Sequence, residues 1–378
     1  MKMYIKTLTD DELEYYKSIA DLTQSKDPHA IKLIYEKISD YMHKVHESSD
    51  VRVYRKDPIV TVKDNYDNLL IASDNISRSS TYTHYVDKDH ILRTHTTAQI
   101  PGILRDLAVG KNNWNDIVIL LPGLAYRRDV TDKKHVGQVH MLEMWRIVRN
   151  KKIKPIRKND LLKVVNEIAK ITAPGWNLRI IDSPHPYTKQ GIEVNVIKDD
   201  KDIEILECGL INDHILKNAG LDPSEYSGWA LGMGLDRLVM TLKEIPDIRY
   251  LRSNNPKIAI QMKNLNKYKE VSNQPSIKRD MSYSVPSKYV EEDINDDIRK
   301  ALGDKQNILE SIEVLSETYY KDLQANIQKR LGISNDQKNV LVRISLKHLE
   351  RTLHKIEANQ IYDMIYSKIN YGSGGYDS

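Results

Sequence analysis

Two glycines and an arginine in the run LGMGLDRLVM are the residues whose spacing speaks most directly of chemistry. Gly232 and Gly234 carry no side chain, so the backbone there can approach a ligand closely, and Arg237 follows on what should be a helix. A glycine pair alone is common and names no ligand. Further back, Arg127-Arg128-Asp129 offers a cationic fork, His95 and Thr97 an imidazole and a hydroxyl, and Glu143 and Glu204 single carboxylates in apolar surroundings. Taken singly, an Arg-Arg-Asp run is a solvated turn and a lone histidine satisfies structure. The one cysteine, Cys208, excludes an internal disulfide framework and any multi-cysteine zinc site; it reads as a small buried apolar residue.

Length of match changes the weight of these residues. The segment from Gly228 to Ser253, GWALGMGLDRLVMTLKEIPDIRYLRS, resembles motif 3 of the class II aminoacyl-tRNA synthetases, and its IPDIR resembles the phenylalanyl branch. GLAYRRDVTDKKHVGQVHMLEMWRI resembles motif 2, in which a hairpin arginine holds the α-phosphate of ATP; Arg127 takes that position, and Asp129 and His135 match positions facing the nucleotide. A guanidinium suits charge developing on phosphoryl oxygens because its fork is rigid and bidentate. HILRTHTTAQIPGIL resembles the phenylalanyl signature, which places His95 and Thr97 beside the amino and carboxylate ends of the amino acid, with Glu143 from motif 2 completing the polar side. The resemblance further implies that His185-Pro186-Tyr187 packs on the substrate ring, that Ala230 keeps the side-chain pocket roomy, that Gly232 and Gly234 lie against amino acid and ATP, and that Glu204 contacts Mg²⁺.

Departures from the family pattern are as informative. Val139 stands where an aromatic ring stacks on adenine, Met141 where a glutamine lies near the amino group, Lys189 for an acid, and Glu207 for a glycine.

These residues need a scaffold to bring them together. Asp27-Pro28 offers a helix start, and Ile31, Ile34, Tyr35, Ile38 and Met42 recur at helical spacing, predicting a helix over about 28–46. VRVYRK, DPIVTV and IVILLPG read as strands, 157–172 as a helix, and GIEVNVI with KDIEILECGL as an antiparallel hairpin closed by KDDKD. The expected fold class is α+β: a class II catalytic domain on an antiparallel sheet flanked by helices, over 28–263 after an N-terminal extension of 1–27. A polar linker over 264–278 then leads to a small ferredoxin-like domain over 279–370, in β-α-β-β-α order, with a flexible tail over 371–378. That small domain resembles the anticodon-binding domain of single-chain phenylalanyl enzymes, so Lys347 and Arg351 are candidates for tRNA phosphates.

Composition bounds the partners. With 40% hydrophobic and 29% charged residues and no long apolar run, the chain is expected to be a soluble protein without membrane spans, cytoplasmic or a processed organellar form. A net charge of +4 spread over 57 basic and 53 acidic residues is weak support for RNA. One count stands apart: there are 22 tyrosines and no phenylalanine, which codon drift would not produce. The resemblance implies a monomer that activates L-phenylalanine with ATP and Mg²⁺ and transfers it to tRNA(Phe). Two alternatives stay open: a paralogue charging another aromatic or non-proteinogenic amino acid, and a non-catalytic tRNA-binding regulatory protein.

Overall fold

A computed structural model describes residues 5–110, 113–128, 133, 135–198, 201–271, 275–348 and 351–374, with backbone only at Lys201. The chain forms two compact units that interleave in sequence. The first comprises Met1–Arg127, Gln138–Ile245 and Gln261–Tyr268; the second comprises Arg128–Gly137, Pro246–Ile260 and Lys269–Ser378. The expectation of one change-over across 264–278 therefore meets a more intricate division, with 128–137 and 246–260 grouped with the C-terminal residues.

The strands, numbered in chain order, are β1 Asp50–Val53, β2 Ile59–Thr61, β3 His90–Leu92, β4 Asp116–Tyr126, β5 Gln138–Arg149, β6 Asn177–Asp182, β7 Thr188–Lys198, β8 Lys201–Ile211, β9 Tyr226–Gly234, β10 Ile277–Pro286, β11 Leu309–Tyr319 and β12 Gln337–Leu346. The first unit is built on a seven-stranded sheet in the order β1-β4-β5-β9-β8-β7-β6, parallel at β1-β4 and antiparallel elsewhere. β4 is buried along its whole length, which is why DIVILLPGLAY reads as a nearly unbroken apolar run rather than an alternation. One face of the sheet packs Ile117, Ile119, Leu121, Trp145 and Ala230 against Ile100, Ile103 and Leu104 of the helix Ile100–Val109. β2 and β3 pair separately.

The helix expected from Pro28 runs Ala30–Val45, with Ile31, Ile34, Tyr35, Ile38 and Met42 all buried. Its start is corrected by two residues: His29, not Asp27, is the N-cap, and its Nδ1 accepts from the Ile31 amide at 3.1 Å. The N-terminal residues are tied into this unit. The helix Asp10–Ser18 opens on a Thr9–Glu12 capping box, and the Leu8 amide donates to the Tyr85 carbonyl.

The start of the expected linker is fixed by chemistry that a polar composition hides. Lys243 is fully buried, and its ammonium donates to the carbonyls of Gln261, Asn264 and Asn266 at 2.9, 2.9 and 2.6 Å. The Tyr268 amide returns a bond to the Lys243 carbonyl. Residues 272–274 of that stretch lie outside the described residues.

In the second unit β12 lies between β10 and β11, antiparallel to both. β10 and β11 therefore run in the same direction across an intervening strand, joined through the helix Glu291–Leu302: a split β-α-β. Helices Ala325–Leu331 and Lys355–Ile369 complete it, and Tyr283, Ile298, Val342, Ile344, Ile361 and Ile365 form its core. The tail expected to be free from residue 371 is instead bonded as far as it is described: Tyr371 donates to the Ser284 carbonyl and Gly374 to the Leu331 carbonyl. Residues 375–378 lie outside the described residues.

Candidate active site

Register assembles the site in the first unit. Across β5 and β9, Met141 stands opposite Gly234, Glu143 opposite Gly232, and Trp145 opposite Ala230; on the other side of β9, Glu207 of β8 also stands opposite Gly232. Because side chains alternate along a strand, Met141, Glu143 and Trp145 share one face. Glu143 is buried there and fully engaged: Thr97 Oγ1 donates to its Oε2 at 2.7 Å and Trp145 Nε1 to its Oε1 at 2.6 Å. A Cβ at position 232 would lie 2.8 Å from Glu143 Oε2, so only glycine leaves the carboxylate in place. Burial pushes the Glu143 carboxyl up to about 7, against the lowering effect of the two donors and of His185.

Apolar walls close this face. The Tyr187 ring stacks on Trp145, with centroids 6.4 Å apart, and His185 lies 5.9 Å from Tyr187. His185 Nε2 meets Glu207 Oε1 at 3.0 Å, and that hydrogen bond raises the imidazole above its ordinary range. Burial raises the Tyr187 phenol as well. A carboxylate with two fixed donors, aromatic walls and the small residues Ala230 and Gly232 together suit an ammonium group attached to an aromatic side chain.

A second group of charges gathers at Glu204. The register between β7 and β8 shifts between Val194 and Asn195, so β8 carries one extra residue between Glu204 and Leu206. This bulge turns Glu204 onto the same face as Glu207, which regular alternation would not do. Arg237, near the start of the helix Leu235–Lys243, reaches Glu204 Oε2 at 3.8 Å, and Arg127 donates through Nε to the Thr94 carbonyl at 2.9 Å. Burial and Glu207 raise the Glu204 carboxyl, while Arg237 and Arg127 lower it. His95 is driven down to about 3 by burial and then by Arg127, so its ring stays neutral; its Nδ1 is buried without a hydrogen-bond partner among the described residues. Two guanidiniums and a carboxylate can meet a polyphosphate and the cation it carries.

Sequence reasoning missed the network beneath these groups. His140 Nε2 accepts from the Leu22 amide at 3.0 Å, so Nδ1 carries the proton it donates to Asp236 Oδ1 at 2.9 Å, and Asp236 also accepts from the His140 amide. This pins β5 to the helix that holds Arg237. Nothing in the linear chain pairs these residues, whereas Trp145 could have been found from strand alternation, two positions beyond the Glu143 that the motif 2 resemblance had already singled out.

The remaining expected residues fall elsewhere in the description. Asp129 lies outside the described residues. His135 is exposed and belongs to the second unit, as do Lys347 and Arg351. The Arg351 fork is taken by Glu357, at 2.8 and 2.7 Å. Lys189 pairs with Asp213 at 2.6 Å, and Val139 offers no ring. Burial holds the Cys208 thiol up at about 12, as expected of an inert core residue.

Comparison with known proteins gives the cluster its context. Residues 18–262 match the family model described as tRNA synthetases class II core domain (F). The chloroplastic/mitochondrial phenylalanine-tRNA ligase of Arabidopsis thaliana is 27% identical over 91% of this chain and 78% of its own. The mitochondrial phenylalanine-tRNA ligases of Saccharomyces cerevisiae and Mus musculus are each 26% identical over 82% of this chain, covering 80% and 71% of their own. With well over half of its length matched, this chain belongs to the class II aminoacyl-tRNA synthetases.

Proposed function

We propose that the chain is a phenylalanine-tRNA ligase, and the observation that carries this reading is the Thr97–Glu143–Trp145 network set against Gly232 under aromatic walls. The names of the relatives support the same amino acid. In the first step the carboxylate of phenylalanine attacks the α-phosphorus of ATP, the bond to the β-phosphate oxygen breaks, and pyrophosphate leaves. A terminal ribose hydroxyl of tRNA then attacks the adenylate carbonyl and AMP departs.

No protein nucleophile is needed; the protein positions reactants and stabilises charge. Glu143 and Thr97 hold the α-ammonium end, with His95 beside it, and Tyr187, Ala230 and Gly232 receive the ring. Arg127 and Arg237 face the triphosphate. Magnesium, when bound, neutralises phosphate charge, and Glu204 is the residue to hold it. Among the described residues no three metal-ligating side chains cluster, which suits an ion that takes few protein carboxylates and completes its shell with phosphate and water. Lys347 remains the candidate for a tRNA phosphate, with Arg351 available only by exchange from Glu357.

The relatives named are organellar, which favours the organellar half of the localisation expected from sequence. No described helix is long and apolar enough to cross a membrane. ATP-pyrophosphate exchange with each amino acid in turn, followed by charging of tRNA(Phe), tests the assignment; exchange with another amino acid and none with phenylalanine overturns it. The second reading, a paralogue for a different aromatic amino acid, draws on the His185–Glu207 pair and on Met141, and the same panel decides it.

A further inference from the structure

Behind the charged groups lies a relay that joins three distant stretches of the first unit. The turn Leu22–Gln24 is held by Asp21, whose Oδ1 accepts from the Thr23 amide and hydroxyl at 2.9 and 2.7 Å. Arg55 donates to the same hydroxyl at 2.7 Å. The Leu22 amide is thereby fixed, and it donates to His140 Nε2 at 3.0 Å. An imidazole that accepts at Nε2 carries its proton at Nδ1. Both oxygens of Asp236 then take donors from one residue: Oδ1 from Nδ1 at 2.9 Å, and Oδ2 from the His140 amide. His140 and Asp236 are 0% and 4% exposed, so water does not compete for these bonds.

The residue this relay acts on is the next one. Asp236 is the second residue of the helix Leu235–Lys243, whose N-cap, Gly234, supplies no side-chain bond to the first turn. His140 therefore gives that turn, from β5, the restraint that a capping side chain would give. Arg237 follows directly. Its side chain is 47% exposed and comes no closer than 3.8 Å to Glu204, beyond hydrogen-bond length. So loose a contact does not aim a guanidinium; the backbone that carries it does. Strand alternation puts His140 on the opposite face of β5 from Met141 and Glu143, so the relay meets the site from behind and leaves the amino-acid side alone.

We propose that His140 is a positioning residue for adenylate formation. Through Asp236 it fixes the angle at which Arg237 meets the phosphates of ATP, and the Leu22 amide selects the tautomer that allows it. This rests on the placing of Arg237 at the triphosphate and deepens that reading. A pair that served stability alone would tolerate the loss of either of its bonds equally. Positioning depends on the bond that grips Asp236.

Two amides separate these bonds. Asparagine places its Nδ2 near the position of the imidazole Nδ1, and glutamine places its Oε1 near that of Nε2. His140→Asn therefore keeps the donor to Asp236 and gives up Leu22, whereas His140→Gln keeps an acceptor for Leu22 and gives up the side-chain bond to Asp236. Each variant loses one bond, so the two urea midpoints should fall by similar amounts. In ATP-pyrophosphate exchange with phenylalanine, kcat/KM for ATP should fall roughly tenfold or more in His140→Gln but only about twofold in His140→Asn. KM for phenylalanine should change by less than about twofold in both. In an Arg237→Ala background, adding His140→Gln should lower the rate by less than about twofold further, because the group being aimed is gone. Asp236→Asn, which turns a donor toward a donor, should repeat the His140→Gln pattern and supplies the same comparison if the glutamine variant does not fold. Equal losses in the asparagine and glutamine variants, or a His140→Gln loss that persists undiminished in the Arg237→Ala background, overturn the proposal and leave the substrate reading intact. Exchange unaffected by Arg237→Ala itself overturns the placing of Arg237 and this inference with it.

Discussion

Replacing Glu143 by glutamine sets stability against function in one residue. In the folded chain its carboxyl is raised from the ordinary 4.5 to about 7 because burial disfavours the charge. Below pH 4.5 both folded and unfolded chains hold the proton. Between 4.5 and 7 only the folded chain keeps it, so stability falls as pH rises through that window, and the loss is complete above about 7. At about 1.4 kcal/mol per tenfold change in proton affinity, the loss amounts to about 3 kcal/mol. A carboxamide keeps the shape, still accepts from Trp145 Nε1 and can donate toward Thr97, yet carries no charge to bury. Glu143→Gln should therefore be more stable than the parent at pH 8, by about 2–3 kcal/mol, and should lose the pH dependence between 4.5 and 7. On the proposed reading the same change removes a charge-assisted bond to the α-ammonium and should raise KM for the amino acid by roughly 10- to 100-fold with little effect on KM for ATP. Urea denaturation across pH and pyrophosphate exchange measure the two halves. A variant less stable than the parent at pH 8, or one that keeps the slope, would refute the account of Glu143 as a buried and strained carboxylate.

With Arg237 facing the triphosphate as proposed, Arg237→Ala should lower pyrophosphate exchange by about 100-fold or more, by loss of charge stabilisation at the phosphates; single-turnover rates check this. Gly232→Ala places a methyl 2.8 Å from Glu143 Oε2 and should raise KM for the amino acid about tenfold while leaving KM for ATP nearly unchanged. Lys243→Met leaves three backbone carbonyls without their shared donor and should cost about 3 kcal/mol, read as a lower urea midpoint. Tyr283→Phe removes a buried hydroxyl with no partner and should stabilise the second unit by about 1 kcal/mol, read as a raised midpoint.

The candidate residues could be singled out from the sequence because they sit in contiguous runs with fixed spacing. Arg237 falls on a helix as read, and the hairpin of β7 and β8 lies where GIEVNVI and KDIEILECGL placed it, while the strand β9 that ends at Gly232 and Gly234 was not read. What escaped the sequence depends on residues far apart in the chain. The His140–Asp236 pair spans 96 positions, and the burial of Lys243 depends on carbonyls 18 to 23 residues away. Composition misled at both ends of the small domain: polar residues over 264–268 and glycines over 372–374 read as free chain, but their backbone groups had partners. Arg351 misled for a related reason. A basic residue in a basic neighbourhood looks available until the acid six positions on is seen to hold it.

The bulge in β8 means that one strand serves two sites in two different phases. A strand of strict period two would bind the fates of Glu204 and Glu207, because any shift that re-aimed one would re-aim the other. The extra residue at Ile205 breaks that linkage, acting as a clutch between the half of the strand that faces the charges at Arg237 and the half that faces the aromatic wall. Side chains around Glu207 can thus drift toward a new amino acid while the phase at Glu204 stays fixed. Loss of Ile205, by contrast, would turn Glu204 to the opposite face in a single step.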